Sequence, residues 1–192
     1  MTAPTLHIFA RWPEAGMAKT RLIPDLGAQG ALAVYRKLLA HTLAQAVATG
    51  LPVTLRTTGA DPARFRELLG DGFAPVDQGE GDLGDRLARV EAPAIVVGSD
   101  CPDCDADVLR TAAAALETHH AVIGPAADGG YYLIGFRQPM PGLFEGMAWS
   151  TATVFADTMA RFAAIGVEPA VLGKLRDIDT AEDLAHHPRF AP

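Results

Sequence analysis

The sequence contains few cysteines, no long apolar stretch and no basic cluster. Its 192 residues include 16 Lys and Arg against 23 Asp and Glu, which gives a formal charge of −7. Nucleic-acid binding is therefore not expected, because affinity for a phosphate backbone depends on clustered Lys and Arg. No apolar run approaches the roughly 18 residues that span a bilayer, and the first residues lack the basic region and apolar core of a signal peptide. These absences predict a cytoplasmic protein that does not associate with membranes.

The two cysteines, Cys101 and Cys104, form a C-x-x-C pair next to Asp100. This spacing permits a thioredoxin-like redox pair or half of a zinc site. A zinc site needs two further ligands at usable spacing, and the histidines of the chain show no such pairing. The favoured interpretation is a pair of reduced thiols packed behind a turn.

Short apolar runs alternate with amphipathic segments along the whole chain. The predicted strands are Thr5–Ala10, Pro52–Thr57, Ala74–Asp77, Ala94–Gly98, Ala121–Gly124, Tyr131–Phe136 and Glu168–Leu172. The predicted helices are Ala28–Thr49, Pro62–Leu69, Leu83–Val90, Ala106–Thr118, Thr151–Ile165 and Ala181–His186. This order predicts an α/β fold with a mainly parallel, Rossmann-like sheet and helices on both faces. No linker or repeat divides the chain, so a single domain over residues 1–192 is expected.

One strand is expected to run antiparallel to its neighbours. Tyr131–Phe136 follows the preceding strand after the connection Pro-Ala-Ala-Asp-Gly-Gly. This connection is too short for the helical crossover that joins parallel strands.

An apolar run that ends on a carboxylate is the most informative segment of the chain. Ala94–Val97 is rich in β-branched residues without polar alternation, which is typical of a parallel strand buried on both faces. Asp100 follows its carboxyl end, where ligands bind in open α/β sheets. A hard divalent cation binds one or two carboxylates together with substrate phosphates, so Asp100 is a candidate metal ligand.

A second acid is available near the end of the sequence. Thr180 to Asp183 fits a capping box, which accounts for Thr180 and one acid downstream. Asp177 and Asp179 precede that helix at alternate positions, and the capping box leaves both of them free. We favour Asp179 as the second metal ligand.

The loop after the first strand carries three cations, Arg11, Lys19 and Arg21. Lys19 and the threonine after it resemble the end of a P-loop, but proline and alanine replace the glycines of that motif. Arg and Lys together still suit a diphosphate, because Arg binds phosphate oxygens in a fork and Lys adds a point charge. The three residues are candidate phosphate contacts, and a solvated loop that offsets the negative chain is the alternative.

A G-x-G-x-x-G motif occurs at Gly79, Gly81 and Gly84. A dinucleotide role is disfavoured, because the motif follows the third strand and two of its intervening residues are acids that would face a pyrophosphate. A glycine-rich loop before a helix can instead fit around a nucleobase or ribose. Gln78, Gly79 and Gly81 are therefore candidate nucleotide contacts, in addition to Arg11, Lys19, Arg21 and Asp100.

Two further segments are candidates for contact with a second substrate. In the first segment, Asp128, Gly129 and Gly130 precede a strand. The two glycines would let a substrate approach the backbone, while the carboxylate of Asp128 would hold a hydroxyl group. A purely structural turn is the alternative. The second precedes a helix, with Ser150 predicted as its N-cap and Trp149 as either core or a stacking wall. The candidate acceptor contacts are Asp128, Gly129, Gly130, Tyr131, Trp149, Ser150 and Thr151.

Together these segments resemble a small bacterial glycosyltransferase family, often labelled radical-SAM/selenodomain-associated or arsenosugar-biosynthesis transferase. That family is similar to the wider GT-A nucleotide-diphospho-sugar transferases, whose relatives include guanylyl- and cytidylyltransferases. The matching motifs cover nearly the whole chain. In order, they are Phe9-Ala-Arg11 with Lys19-Thr-Arg21-Leu, Gln78-Gly-x-Gly-x-Leu-Gly84-x-Arg86, Gly98-Ser-Asp100-Cys-Pro102, Asp128-Gly-Gly-Tyr-Tyr-Leu-Ile-Gly135, Trp149-Ser-Thr151 and Asp177-Ile-Asp179-Thr-x-Glu-Asp183-Leu.

The resemblance implies a GT-A fold, a nucleotide-diphosphate sugar as donor and Mg²⁺ or Mn²⁺ as cofactor. It implies that Asp100 and Asp179 hold the metal and that Arg11, Lys19 and Arg21 bind phosphates. The predicted catalytic residues are Asp100, Lys19, Arg21 and Asp128, with Asp128 as candidate general base.

The expected function is transfer of a sugar from a nucleotide-diphosphate sugar to a small-molecule acceptor. Nucleotidyl transfer from a nucleoside triphosphate to a phosphorylated small molecule, with release of pyrophosphate, uses the same carboxylate and metal arrangement and is the first alternative. A non-catalytic nucleotide-binding subunit is the second.

Overall fold

The computed structural model describes residues 2–192. Within them, the strands are β1 (Thr5–Arg11), β2 (Val53–Thr58), β3 (Pro75–Asp77), β4 (Ala94–Val97), β5 (Ala121–Pro125), β6 (Tyr131–Phe136) and β7 (Ala170–Val171). They form one sheet in the order β3-β2-β1-β4-β6-β5-β7. Each strand lies where an apolar run predicts one, and only the ends differ slightly.

The helices are α1 (Ile23–Ala48), α2 (Pro62–Leu69), α3 (Leu83–Ala88), α4 (Ala106–Thr118), α5 (Val154–Ala164) and α6 (Ala181–His186). Short 3₁₀ turns lie at Thr20–Leu22 and Pro188–Phe190. The predicted bounds of α2, α4 and α6 are correct. The helix α1 begins earlier than predicted, but Gly27 has φ 68° and ψ 168°, so the uninterrupted helix begins at the predicted residue, Ala28.

The prediction that Ser150 caps α5 is wrong. Ser150 has a left-handed φ of 62°, and the helix begins only at Val154. The delay has a local cause, because the Thr151 hydroxyl donates to the Ala148 carbonyl (2.9 Å) and closes a turn before the helix.

The strand directions confirm the mainly parallel sheet. The central strand β1 is parallel to β2 and β4, β2 is parallel to β3, and β7 is parallel to β5. The strand β6 pairs antiparallel with both β4 and β5, which confirms the predicted antiparallel strand. The carboxyl ends of β1 to β4 and the amino end of β6 therefore lie along one edge of the sheet.

Helices cover both faces of the sheet, as predicted. Ile95 and Val97 of β4 pack with side chains of α1, α2 and α4, whereas Ala94 and Val96 pack with side chains of α3 and α5. This two-sided burial explains why β4 has no polar alternation. A third apolar cluster joins α1 to α6 and to Ile178, which precedes α6. In the described part of the chain, none of the helices combines the length and hydropathy needed to cross a bilayer.

Candidate functional site

Three segments that are distant in sequence meet at the carboxyl edge of the sheet: the loop after β1, the turn after β4 and the segment before α6. The last two are joined directly, because Ile178 N donates to Asp100 O (3.0 Å). Ile178 is fully buried in the third apolar cluster. Since Ile178 faces the core, its two neighbours Asp177 and Asp179 face the edge of the sheet, where Asp100 lies.

Lys19 lies between the two predicted metal ligands. Its Nζ is 3.0 Å from Asp100 Oδ2 and 2.8 Å from Asp179 Oδ1, and Arg21 Nη1 lies 3.1 Å from Asp179 Oδ2. The Lys19 side chain is 6% exposed, whereas those of Asp100 and Asp179 are 40% and 32% exposed. Burial by itself would lower the pKa of Lys19, but the two carboxylates outweigh it and raise this pKa above its ordinary value. The structure thus brings the two acids together on a lysine ammonium.

Asp177 is a third acid at this point, and its spacing alone did not distinguish it from Asp179. Its Oδ1 is buried and has no hydrogen-bond partner among residues 2–192. Burial first, and then the charge of Asp100, raise the pKa of the Asp177 carboxyl group, while Lys19 opposes the shift. In the described chain, no three His, Cys, Asp or Glu side chains are grouped closely enough to hold a metal ion as they stand. The cation that Asp100 and Asp179 share in this structure is Lys19.

A cavity of about 420 Å³ opens beside these acids. Its walls include the predicted nucleotide contacts Arg11, Lys19, Arg21, Gln78 and Asp100, together with Asp179. Arg86 and Tyr35 also line it, and neither was selected from the sequence. Arg86 belongs to the glycine-rich motif, so that motif could have identified it as a candidate nucleotide contact. The pattern of Tyr35, by contrast, indicated only a buried helix face.

Gln78 is buried, and the protein itself uses its amide group. Its Nε2 donates to the backbone carbonyls of Ala10 (3.3 Å) and Arg56 (2.9 Å), and its Oε1 accepts from Arg86 Nη1 (3.5 Å). These bonds tie together the ends of β1, β2 and β3. Gln78 therefore supports the floor of the cavity with both of its polar groups already occupied.

Gly79 and Gly81 do not line this cavity. Both have left-handed φ values, 79° and 96°, and a Cβ on Gly81 would lie 2.2 Å from Asp85 Oδ2. Asp85 forms a capping box with Asp82 at the start of α3. Tight folding of the loop against α3 therefore accounts for Gly81, and contact of either glycine with a nucleotide stays a prediction.

The predicted acceptor residues do not line this cavity. Asp128 to Tyr131 lie at the amino end of β6, and Trp149 to Thr151 lie in the loop before α5. The carboxylate of Asp128 is close enough to Asp177 to influence its titration, and Asp128 Oδ1 accepts from Gly130 N (2.9 Å). Gly129 has a φ of 92°, and a Cβ there would lie 2.1 Å from Ala152 O. Because Gly129 has no side chain, the turn can pack against the loop before α5. This packing agrees with the alternative interpretation of the segment, a purely structural turn.

Trp149 belongs to the edge of the core. It packs with Tyr131 in an edge-to-face contact (ring centroids 6.5 Å apart), and both side chains contact the apolar cluster that covers α3 and α5. Of the predicted acceptor residues, Asp128, Ser150 and Thr151 are the ones that are exposed.

The two cysteines are buried and not bonded to each other. Burial raises the pKa of both thiols, that of Cys104 to about 12. Cys101 Sγ contacts the Arg176 carbonyl at 3.7 Å, behind the turn that carries Asp100. The thiols are thus packed behind this turn, as that interpretation expects, and their reduced state stays a prediction.

The sequence matches the profile of a family described as uncharacterized proteins conserved in bacteria (DUF2064) over residues 40–151. No functionally curated protein matches the sequence. Among solved structures, a protein from Desulfovibrio desulfuricans, provisionally described as a nucleotide-diphospho-sugar transferase, is 30% identical, with a TM-score of 0.89. The match covers 96% of this chain and 85% of that chain.

More distant structures share the fold. Rv0371c from Mycobacterium tuberculosis, solved in complex with manganese, is 22% identical, with a TM-score of 0.56 and coverage of 99% of this chain and 98% of that one. A 4-diphosphocytidyl-2C-methyl-D-erythritol synthase from Anaerococcus prevotii is 13% identical, with a TM-score of 0.60 and 98% of both chains covered. At these identities the similarity establishes the fold alone, and this fold is the predicted one of nucleotide-diphospho-sugar transferases. Since the family profile spans more than half of the sequence and a relative matches nearly all of it, the chain belongs to the bacterial DUF2064 family.

Proposed function

We propose that this protein transfers a sugar from a nucleotide-diphosphate sugar to a small-molecule acceptor. The observation that carries the proposal is the convergence of Asp100 and Asp179 on one cationic nitrogen, beside a cavity that also contains Arg11, Arg21 and Arg86. Carboxylates suit a hard divalent cation, and guanidinium groups suit a diphosphate. The resemblance to the radical-SAM-associated and arsenosugar glycosyltransferases favours a sugar as the transferred group.

The acids fit Mg²⁺ or Mn²⁺. Asp100 and Asp179 present oxygens to the same point, and Asp177 Oδ1 is a buried oxygen without a partner in residues 2–192. Carboxylate oxygens are the donors that these hard cations prefer. The manganese complex of the distant structural relative supports the same class of ion. Asp100 and Asp179 would hold the ion, which when bound supplies positive charge to a diphosphate leaving group.

The cationic residues bind the donor diphosphate in this proposal. Arg11 Nη1 donates to Met17 O (3.1 Å), which holds the loop after β1 in place over the cavity. Arg21 and Arg86 line the same cavity from the 3₁₀ turn before α1 and from α3. As the bond to the sugar breaks, negative charge grows on the departing nucleoside diphosphate, and fixed guanidinium groups stabilise that charge.

The acceptor would bind beside the exposed residues Asp128, Ser150 and Thr151. One carboxylate oxygen of Asp128 is engaged by Gly130 N, which orients the side chain. Its other oxygen, Oδ2, would take the proton of an attacking hydroxyl group in this proposal, as a general base does. In this proposal the donor and the acceptor bind at adjacent parts of one sheet edge.

The released product distinguishes sugar transfer from nucleotidyl transfer. A thermal-shift screen of nucleotides and nucleotide sugars with Mg²⁺ or Mn²⁺ identifies the base, because a ligand that binds only the folded form raises the Tm. Turnover of the stabilising donor then yields a nucleoside diphosphate if a sugar moves. Release of pyrophosphate would replace the proposal by the nucleotidyl alternative, and binding without turnover of any donor would favour a non-catalytic subunit.

Asp100→Asn tests the carboxylate on which the proposal depends. We expect turnover to fall at least about 100-fold, because the variant loses one charged ligand at the point where leaving-group charge is stabilised. The metal-dependent rise in Tm with nucleotide should disappear as well. Asp103→Asn removes the same charge from a partly exposed acid on the same turn and should retain activity. Unchanged turnover in Asp100→Asn would reject the role of Asp100.

A further inference from the structure

Lys19 occupies the point at which the metal-holding carboxylates converge. Its ammonium nitrogen contacts one oxygen of Asp100 and one of Asp179 at hydrogen-bond distance. A Mg²⁺ or Mn²⁺ ion bound about 2.1 Å from the same two oxygens would lie against this nitrogen. The two positive charges would repel each other strongly at such a separation. The ammonium and a divalent cation therefore cannot hold this position together.

We propose that Lys19 competes with the divalent cation for the carboxylates of Asp100 and Asp179. It releases these two acids only when a donor diphosphate binds its ammonium group. The inference rests on the proposed function of the same site. It assigns Lys19 two alternative partners, the acid pair in the free protein and the diphosphate in the loaded protein.

The burial of Lys19 explains why a new anion is needed. Its side chain is 6% exposed, so an ammonium that left both carboxylates without another partner would be a buried, unpaired charge, which is strongly unfavourable. Lys19 also lines the 420 Å³ cavity proposed for the donor, so a diphosphate bound there lies within its reach. The flexible four-carbon stem of lysine allows this change of partner.

A hydrogen bond of the Lys19 carbonyl holds the backbone at this point, so the proposed change of partner involves the side chain. Lys19 has left-handed backbone angles, φ 50° and ψ 46°, which are uncommon for a residue with a side chain. Leu22 N donates to Lys19 O (2.9 Å), and this bond begins the 3₁₀ turn before α1. A pivot of the side chain leaves this turn intact.

Binding of the metal and of the diphosphate becomes coupled as a result. Each ligand raises the affinity of the protein for the other by the same factor, because coupling between two binding equilibria is reciprocal. The free protein should therefore bind a divalent cation weakly, although it contains the acids that hold it.

Lys19→Met removes the competing ammonium, and Mn²⁺ binding to the nucleotide-free protein measures the effect. The loss of the paramagnetic resonance signal of free Mn²⁺ gives the affinity. We expect Lys19→Met to bind Mn²⁺ at least about tenfold more tightly than the wild type, within the usual range of coupling between sites. Lys174→Met removes the same charge from an exposed lysine and should bind Mn²⁺ like the wild type.

Thermal unfolding provides a second measurement. Without the ammonium the two carboxylates repel each other, so Lys19→Met should have a lower Tm than the wild type in EDTA. Mn²⁺ should then raise its Tm by more than it raises that of the wild type, because at a given concentration a ligand of the folded form stabilises more when it binds more tightly. Lys19→Gln gives the same comparison if the methionine variant does not fold.

The outcomes separate this inference from the proposed function. Equal Mn²⁺ affinities for Lys19→Met and Lys174→Met would overturn the competition, while loss of Mn²⁺ binding in Asp100→Asn would still support the metal site. If the wild type and Lys19→Met fail to bind Mn²⁺ both alone and with ADP, CDP, GDP or UDP, the metal-dependent function fails together with the inference.

Discussion

One buried histidine contributes a pH dependence to the stability of the protein. His7 lies in the middle of β1, is 4% exposed and accepts a hydrogen bond from Arg56 Nε at Nδ1 (3.2 Å). Burial, and then the charge of Arg56, lower the pKa of His7 from 6.5 to about 4. Unfolding restores the ordinary pKa, so between these two values the unfolded chain binds more protons than the folded one. The contribution of His7 to stability therefore falls as the pH is lowered from about 6.5 to about 4.

His7→Asn should remove this dependence, because the asparagine oxygen can replace Nδ1 as acceptor and does not titrate. Between pH 7 and pH 4 the wild type should lose roughly 3 kcal/mol more of its free energy of unfolding than the variant. Urea titrations at several pH values measure the difference. His120→Asn, which replaces an exposed histidine, should keep the wild-type profile. Parallel profiles for the wild type and His7→Asn would contradict the assignment.

The candidate residues of the site could be selected one by one from the sequence, whereas the contacts between them could not. Asp100 was identifiable because it follows a strand that is buried on both faces. Lys19 contacts Asp100 and Asp179, which lie 81 and 160 residues further along the chain. No short sequence pattern can predict contacts between residues so far apart. The two acids before α6 were likewise visible as a pair, but only the burial of Ile178 shows that both face the sheet edge.

Elements were predictable where burial constrains the sequence most. Ala94–Val97 excludes polar residues because both of its faces are covered, and its position as β4 was correct. The direction of β6 followed from the short connection before it. Its insertion between β4 and β5 was not predictable, because the pairing of β6 with β4 depends on residues far apart in the chain. The start of α5 was missed because a hydroxyl-closed turn replaced the expected cap.

The turn between β5 and β6 should tolerate no side chain at Gly129. Its φ of 92° is unfavourable for an alanine, and the added Cβ would lie 2.1 Å from the Ala152 carbonyl oxygen. Gly166 has a similar φ of 70° with nothing within 4 Å, so Gly166→Ala isolates the backbone strain. We expect Gly129→Ala to lower the free energy of unfolding by roughly 2 kcal/mol more than Gly166→Ala, the usual cost of overpacking. Urea titration measures both, and equal losses would show that the turn and the loop before α5 separate easily.

For the molecule as a whole, the site depends on the C-terminal segment returning to the centre of the sheet. Ile178, Leu184 and Phe190 pack with Leu38 and other apolar residues of α1 in one cluster. The sequence predicted α6 through its capping box, and both bonds of that box are present. A capping box specifies only where a helix begins. The packing of this segment on α1, which places Asp179 beside Asp100, could therefore be seen only in the structure. The fold class was thus predictable, and the convergence of its distant acids was a hypothesis that only the packing could test.

Ile178→Ala should weaken both the fold and the site. Ile178 is fully buried, and truncation of such a side chain costs roughly 2–4 kcal/mol through lost burial and the cavity it leaves. Because Ile178 N also bonds to Asp100 O, the same change should loosen Asp179 and weaken Mn²⁺ binding measured with a nucleoside diphosphate. Ile178→Val keeps most of the packing, so it should cost about 1 kcal/mol and bind Mn²⁺ like the wild type. If Ile178→Ala loses stability in urea but retains its Mn²⁺ affinity, the acids are positioned without the C-terminal packing, and the link between core and site is wrong.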